Sequence, residues 1–229
     1  MKYYFTFLIL ILFTFSGYAQ NLGFDIHGTY THPIKKEKLL VANTFSDLIA
    51  GYPASWITDY LASEIILTTN NTVKKAKGTN DTLTTKQKDM LSKAELGTDI
   101  IIDVAYRYKN SITGQMDLRT MHYTATVVPQ IEAEYTGGSE AMKEYLIENA
   151  VSLISDTLFK TMKQVVIRFT VKETGVIADV QLSAASGDEA TDKLLLEAIS
   201  KMPAWRPAVD LKGIKVEQHF EFSLGNVGC

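Results

Sequence analysis

Cysteine, proline and clustered charge are all scarce in this chain. A single cysteine occurs in 229 residues, at the last position. No internal disulfide can form, so packing alone must hold the fold. The four histidines, His27, His32, His122 and His219, lie far apart, without a His-x-x-x-His or paired cysteines to mark a metal site. Only His27 and His32, near Asp25 in "DIHGTYTH", are close enough to consider as ligands. Exposed polar side chains on an extended segment explain them more simply. No serine occupies a nucleophile elbow, and "TGG" and "SGD" lack the strand and lysine of a phosphate loop. These absences give the expectation of a non-enzyme with no metal and no cofactor.

The formal charge is −3, and no stretch concentrates lysine or arginine. A nucleic-acid partner is therefore not expected, because displacing phosphate counterions needs a basic face. The five prolines are scattered, so no rigid proline-rich spacer is present.

One long apolar run does occur. "MKYYFTFLILILFTFSGYAQ" has Lys2 as its only cation, then an uncharged stretch ending in Gly17 and Ala19. Small residues at those spacings are what a signal peptidase reads, so residues 1–19 are expected to be a signal peptide and the protein to be exported to the periplasm. An uncleaved segment would instead anchor it in the inner membrane.

Residues 20–128 read as a β-rich module with a short helix. "TDIIIDVAYRYKN" and "RTMHYTATVV" alternate in polarity and are joined by "SITGQMDL", which suggests an antiparallel pair. Between strands, Thr84 and Gln87 have capping-box spacing at the start of a short helix. The expectation for this half is a β-sandwich-like module. "IKKEKL" reads as a solvated loop or helix start, and "TTNNTVKKAKGTND" as a surface loop or edge hairpin.

Residues 129–225 alternate between helix and strand, and 226–229 read as a flexible tail. Ser139 is the expected cap of a helix carrying Met142, Tyr145, Leu146, Ala150, Leu153 and Ile154 at helical spacing. Val165, Ile167, Phe169 and Val171 share one face of a strand, and Gly175 supplies the turn into a second. Val176, Ala178, Val180 and Leu182 share a face there. Ser186 and Glu189 have capping-box spacing before a helix with Leu194, Leu195, Ala198, Ile199 and Met202 on one stripe. A last strand, Ile214–Leu224, puts Val216, Phe220, Phe222 and Leu224 on one side, with Gln218 the polar exception. The fold class expected is α+β: the β-sandwich-like module, then two helices over a three-stranded antiparallel sheet.

Between the second helix and the last strand lies "MPAWRPA". Pro203 cannot extend the helix, and Pro207 keeps Arg206 from helical geometry. Trp205 has the apolar area to stitch this stiff corner to the layer beneath it. Pro203, Trp205, Pro207 and, at the start of the last strand, Gly213 are read as positioning residues.

These elements, in this order, resemble the C-terminal domain of TonB-family energy transducers. The resemblance rests on Tyr135, Gly137 and Gly138 before the first helix and on Gly175 at the hairpin turn. It continues with Pro203, Trp205, Pro207 and Ala208 at the corner, and with Gly213 and Val216 before the last strand. The first half more faintly resembles immunoglobulin-like periplasmic modules, through "LTTKQKDML" followed by "GTDIIIDV". The chain departs from the family at Thr136, where proline is usual, and in lacking a proline-rich periplasmic stretch.

The resemblance implies a partner: the N-terminal peptide of a TonB-dependent outer-membrane receptor, added as a strand to an exposed edge. Lys215, Val216, Glu217, Gln218, His219 and Phe220 are the expected contact, with backbone groups supplying most of the affinity. A retained N-terminal segment would add an ExbB/ExbD-type inner-membrane motor as a partner. The same free edge could instead serve a homodimer. A structural envelope adaptor or dimerisation protein without an energy-transducing role is the alternative.

Overall fold

Apolar alternation in the strands and apolar stripes on the helices build two hydrophobic cores in this protein, each between one sheet and the helices laid over it. The computed structural model describes residues 23–69 and 72–225. The expected signal peptide at 1–19 and the tail at 226–229, with Cys229, lie outside the described residues.

Along the chain run β1 (Phe24–Gly28), β2 (Pro33–Lys35), α1 (Lys36–Val41), α2 (Phe45–Leu48), β3 (Asp59–Thr69), β4 (Thr72–Gly78) and α3 (Thr85–Ser92). The long pair β5 (Asp99–Lys109) and β6 (Met116–Val128) follows, then β7 (Glu134–Tyr135), α4 (Gly138–Asn149) and α5 (Asp156–Thr161). The chain continues with β8 (Val165–Val171), β9 (Ile177–Ala184), α6 (Glu189–Ser200), β10 (Trp205–Arg206), β11 (Ala208–Val209), β12 (Lys215–Val216) and β13 (Gln218–Leu224).

The first core lies under a five-stranded sheet of order β2-β6-β5-β3-β4, antiparallel except for the parallel pair β2 and β6. Ile65, Leu67, Ala76, Ile100, Ile102 and Val104 point to the same buried side as Leu39, Phe45, Leu48, Met90 and Leu91 of the helices. The expected β-sandwich is corrected to a single sheet backed by helices. The six residues of α1 and the four of α2 are too short to show periodicity. Thr84 and Gln87 do form a reciprocal capping box at α3, with Thr84 N–H donating to Gln87 Oε1 at 2.9 Å.

The second core is covered by α4 and α6, tied together where the Tyr145 hydroxyl donates to the Ala198 carbonyl at 3.0 Å. Two expected caps are corrected. Gly137, at φ +103°, opens α4 in place of Ser139, and the Asp188 carboxylate accepts from Thr191 N–H to open α6 in place of the Ser186–Glu189 box. Helix α4 also ends earlier than the apolar spacing suggests, at Asn149, and Leu153 is exposed. On β9, a bulge places Asp179 at φ +54° and shifts the register against Arg168 and Thr170. Val180 packs against the core as expected, but before the bulge it is Ile177 that does so, rather than Val176 and Ala178.

The largest departure concerns the sheet itself. It has four strands, in the order β1-β13-β8-β9. The fourth is β1, from the segment grouped in the sequence with the first half of the chain. Phe24 faces Leu224 and Ile26 faces Phe222, so the two apolar residues of β1 fall beside buried neighbours. That fit explains why the segment leaves its own half to complete the other sheet.

Candidate functional site

The closing segment is built outward from Trp205, which is 5% exposed. Its ring stands edge-on to Tyr135 and Phe169, with centroids 5.9 Å away in each case, and lies 5.0 Å from Phe220. The indole N–H points at the Met202 sulfur, 3.3 Å away. The backbone of Trp205 pairs with Tyr135 through β10 and β7, and its N–H donates to the Gly175 carbonyl at 2.8 Å. One residue thus ties together the start of α4, the β8–β9 turn and the beginning of β13. Pro203 and Pro207 flank it. Gly213, at φ +79°, makes the turn that returns the chain to β12, where Val216 and Lys215 pair with Ala208 and Val209.

From this corner β13 runs beside β8, Gln218 opposite Val171 and Leu224 opposite Val165. Its other rim is set by strand parity. The His219 carbonyl accepts from Thr29 N–H at 3.1 Å, and Gly225 N–H donates to the Gly23 carbonyl at 3.2 Å. The backbone groups of His219, Glu221, Ser223 and Gly225 therefore face β1, while those of Gln218, Phe220, Phe222 and Leu224 face β8. The expectation that Ile214–Leu224 forms a free edge is corrected: from His219 onward the rim is covered by the chain's own Phe24–Thr29.

Coverage stops at the beginning of the strand. Val216, Glu217, Gln218 and His219 line an open cleft of about 410 Å³ with Thr29, Tyr30, Glu173 and Pro129. Two of its lining residues, Tyr30 and Gln218, belong to a polar knot. The Tyr30 hydroxyl and the Gln218 amide each donate to Glu132 Oε2, both at 2.8 Å, and Ala133 N–H donates to Gln218 Oε1 at 2.8 Å. Burial and the Glu132 carboxylate push the Tyr30 phenol up to about 12. Gln218 is 6% exposed, so the polar exception on an apolar face is explained by its satisfied partners.

The six expected contact residues are thus divided. Lys215 and Val216 sit in the short ladder with β11, and Glu217 points its carboxylate to Lys172 at 2.9 Å. Lys172 also pairs with Asp179, and the two acids hold its ammonium well above the usual lysine range. Gln218 is turned into the knot, His219 Nδ1 lies 3.0 Å from the Thr170 hydroxyl, and Phe220 packs on Phe169 and Trp205. Reasoning from sequence missed Tyr30, Glu132 and β1 itself. The alternation of Phe24 and Ile26 was a signal for the strand alone, not for its partner.

The remaining histidines do not converge. His27 is on β1, whereas His32 lies before β2 with Nδ1 2.8 Å from the Thr124 carbonyl, and His122 pairs with Asp103 on the first sheet. Among the described residues no three His, Cys, Asp or Glu side chains gather in a metal-binding group.

Comparison with known families meets this architecture at its second half, where residues 122–224 match the family model for the TonB C terminal. That segment is a TonB C-terminal domain. The match begins inside β6 of the first sheet. No curated protein and no solved structure matches the chain. The domain type implies a TonB-like role in energy-coupled transport across the outer membrane, with TonB-dependent receptors as the partner class. Proteins of the family are periplasmic or anchored in the inner membrane. Among the described residues no helix is long and apolar enough to cross a membrane.

Proposed function

We propose that this protein, exported by its N-terminal segment, uses residues 129–225 to hold the N-terminal periplasmic peptide of an outer-membrane transport receptor. The peptide adds as a strand to β13. Recognition starts in the cleft beside Val216–His219 and continues along the rim of His219, Glu221 and Ser223. The TonB C-terminal match carries this reading. The open cleft at the start of β13 supports it, because an extended peptide needs a place to begin pairing. Backbone groups supply most of the affinity, while the corner of Pro203, Trp205, Pro207 and Gly213 holds the strand in place.

A second reading is favoured by the strand β1. A sheet already completed by its own chain suits a structural adaptor or dimerisation protein of the envelope, which has no need of a receptor peptide.

Isothermal titration with the N-terminal peptide of an outer-membrane receptor separates the two. The first reading expects saturable binding that His219→Pro weakens at least about tenfold, by removing a rim donor and no backbone bond to β8. Binding untouched by that proline would rule out strand addition at β13. Absence of binding to the intact protein and to a variant with β1 released favours the adaptor.

A further inference from the structure

The rim of β13 is occupied, and its occupant has the form of a ligand. Phe24–Gly28 pairs antiparallel with Phe220–Leu224, and the ladder extends by one bond at each end, through Gly23 and Thr29. Only Phe24 and Ile26 reach the core, and both remain half-buried, while Asp25 and His27 are exposed. The strands inside the sheet, β8 and β13, bury nearly every inward residue fully. Such a short edge strand, with two partly buried apolar side chains, belongs to the low-stability end of local opening.

Its exit is fastened separately. Tyr30, two residues beyond β1, donates to the same Glu132 oxygen as Gln218, so the chain leaving β1 is tied to the first turn of the rim. Gly28 fits beneath that clasp because a Cβ there would lie 2.2 Å from the Tyr30 ring. Strand and clasp together form a unit separate from the Trp205 corner, whose ring contacts are with Tyr135, Phe169 and Phe220 and not with β1, Tyr30 or Glu132.

We propose that Phe24–Gly28 is a resident plug of the docking rim, held by the Tyr30–Glu132–Gln218 clasp. The partner that replaces it is an extended peptide of the same pattern, two apolar residues separated by one polar residue. The apolar pair fills the places of Phe24 and Ile26 beside Leu224 and Phe222, and the outward residue between them tolerates charge, as Asp25 does. The proposal rests on the strand-addition reading and adds regulation to it. Binding is reduced by the fraction of molecules in which β1 is seated.

The test uses a fluorescent synthetic peptide of residues 23–29 and, separately, a receptor N-terminal peptide, each followed by anisotropy. His27→Pro removes the donor facing Glu221 and loosens β1 without touching β13. Both peptides should bind this variant at least about tenfold more tightly than the unaltered protein. A second variant, His27→Cys with Glu221→Cys in a Cys229→Ser background, joins two directly opposed residues of an antiparallel pair, whose Cα separation of about 5.5 Å lies within the disulfide range. Oxidation should abolish binding, and reduction should restore it. Equal affinity for all forms overturns the plug, as does absence of peptide binding to a cooperatively folded His27→Pro protein. If the residue 23–29 peptide behaves as expected and the receptor peptide does not compete with it, the plug stands and the receptor reading fails.

Discussion

The backbone of Trp205 occupies the space that a side chain at Gly175 would need. A Cβ built on Gly175 would lie 2.0 Å from the Trp205 carbonyl oxygen, and Gly175 itself sits at φ +82°. The two residues are also joined by the bond from Trp205 N–H to the Gly175 carbonyl. The hairpin turn and the tryptophan corner are therefore one joint, and it determines where β13 begins.

Gly175→Ala should break that joint. A left-handed alanine and a clash with backbone that cannot swing aside together cost about 3 kcal/mol or more. Urea unfolding measures the loss, and a red shift in Trp205 emission reports the opened corner, against the exposed Trp56 as a constant background. A change within about 0.5 kcal/mol, the range of neutral surface substitutions, would mean that the close approach does not exist.

The clasp at Tyr30 makes a prediction about pH. Its phenol is raised to about 12 by burial, then by the hydrogen bond and charge of Glu132. A tyrosine in the unfolded chain loses its proton near pH 10. Between these values the unfolded state binds fewer protons than the folded state, so the stabilisation is complete below about pH 10 and disappears as pH rises toward 12. Tyr30→Phe should be less stable than the unaltered protein at pH 8, and the gap should shrink by pH 11. A gap that stays constant with pH would exclude ionisation of Tyr30 as its cause.

The helix and strand order of the second half was legible because periodicity there is long and clean. The twelve residues of α6 bury Leu195, Ala198 and Ile199, and β13 buries each alternate residue. Trp205 was also readable, since two prolines leave a tryptophan little to do but pack. The plug was not. Phe24 and Ile26 form a five-residue strand whose partner, Phe220–Leu224, lies at the other end of the described chain, and local pattern carries no information about so distant a pairing. The candidate contact segment is correspondingly divided in the structure. Val216–His219 do line a cleft, but the rim from His219 onward was assumed open because nothing in its own sequence announces a neighbour. The bulge at Asp179 escaped for a related reason, because strict alternation predicts a face that an inserted residue reverses.

Gln87 offers a test of the first core that is independent of the docking rim. It is fully buried, its oxygen accepts from Thr84 N–H at 2.9 Å, and its amide nitrogen reaches the Ala76 carbonyl at 3.4 Å. Gln87→Ala removes the return half of the capping box and leaves Thr84 N–H and the Ala76 carbonyl without it, a loss of about 1–2 kcal/mol. Gln87→Glu is the sharper variant. The shape is kept, yet the carboxylate turns an oxygen toward the Ala76 carbonyl and buries a charge. Burial raises the carboxyl pKa in the folded state, so the folded protein binds the extra proton and its stability falls as pH rises through that value. Gln87→Glu should therefore be clearly destabilised at pH 7 and recover toward the unaltered protein as pH approaches 4, where the neutral acid can donate to Ala76. Paired urea titrations at the two pH values read the difference. A penalty that does not depend on pH would place the new carboxylate in solvent and Gln87 outside the core.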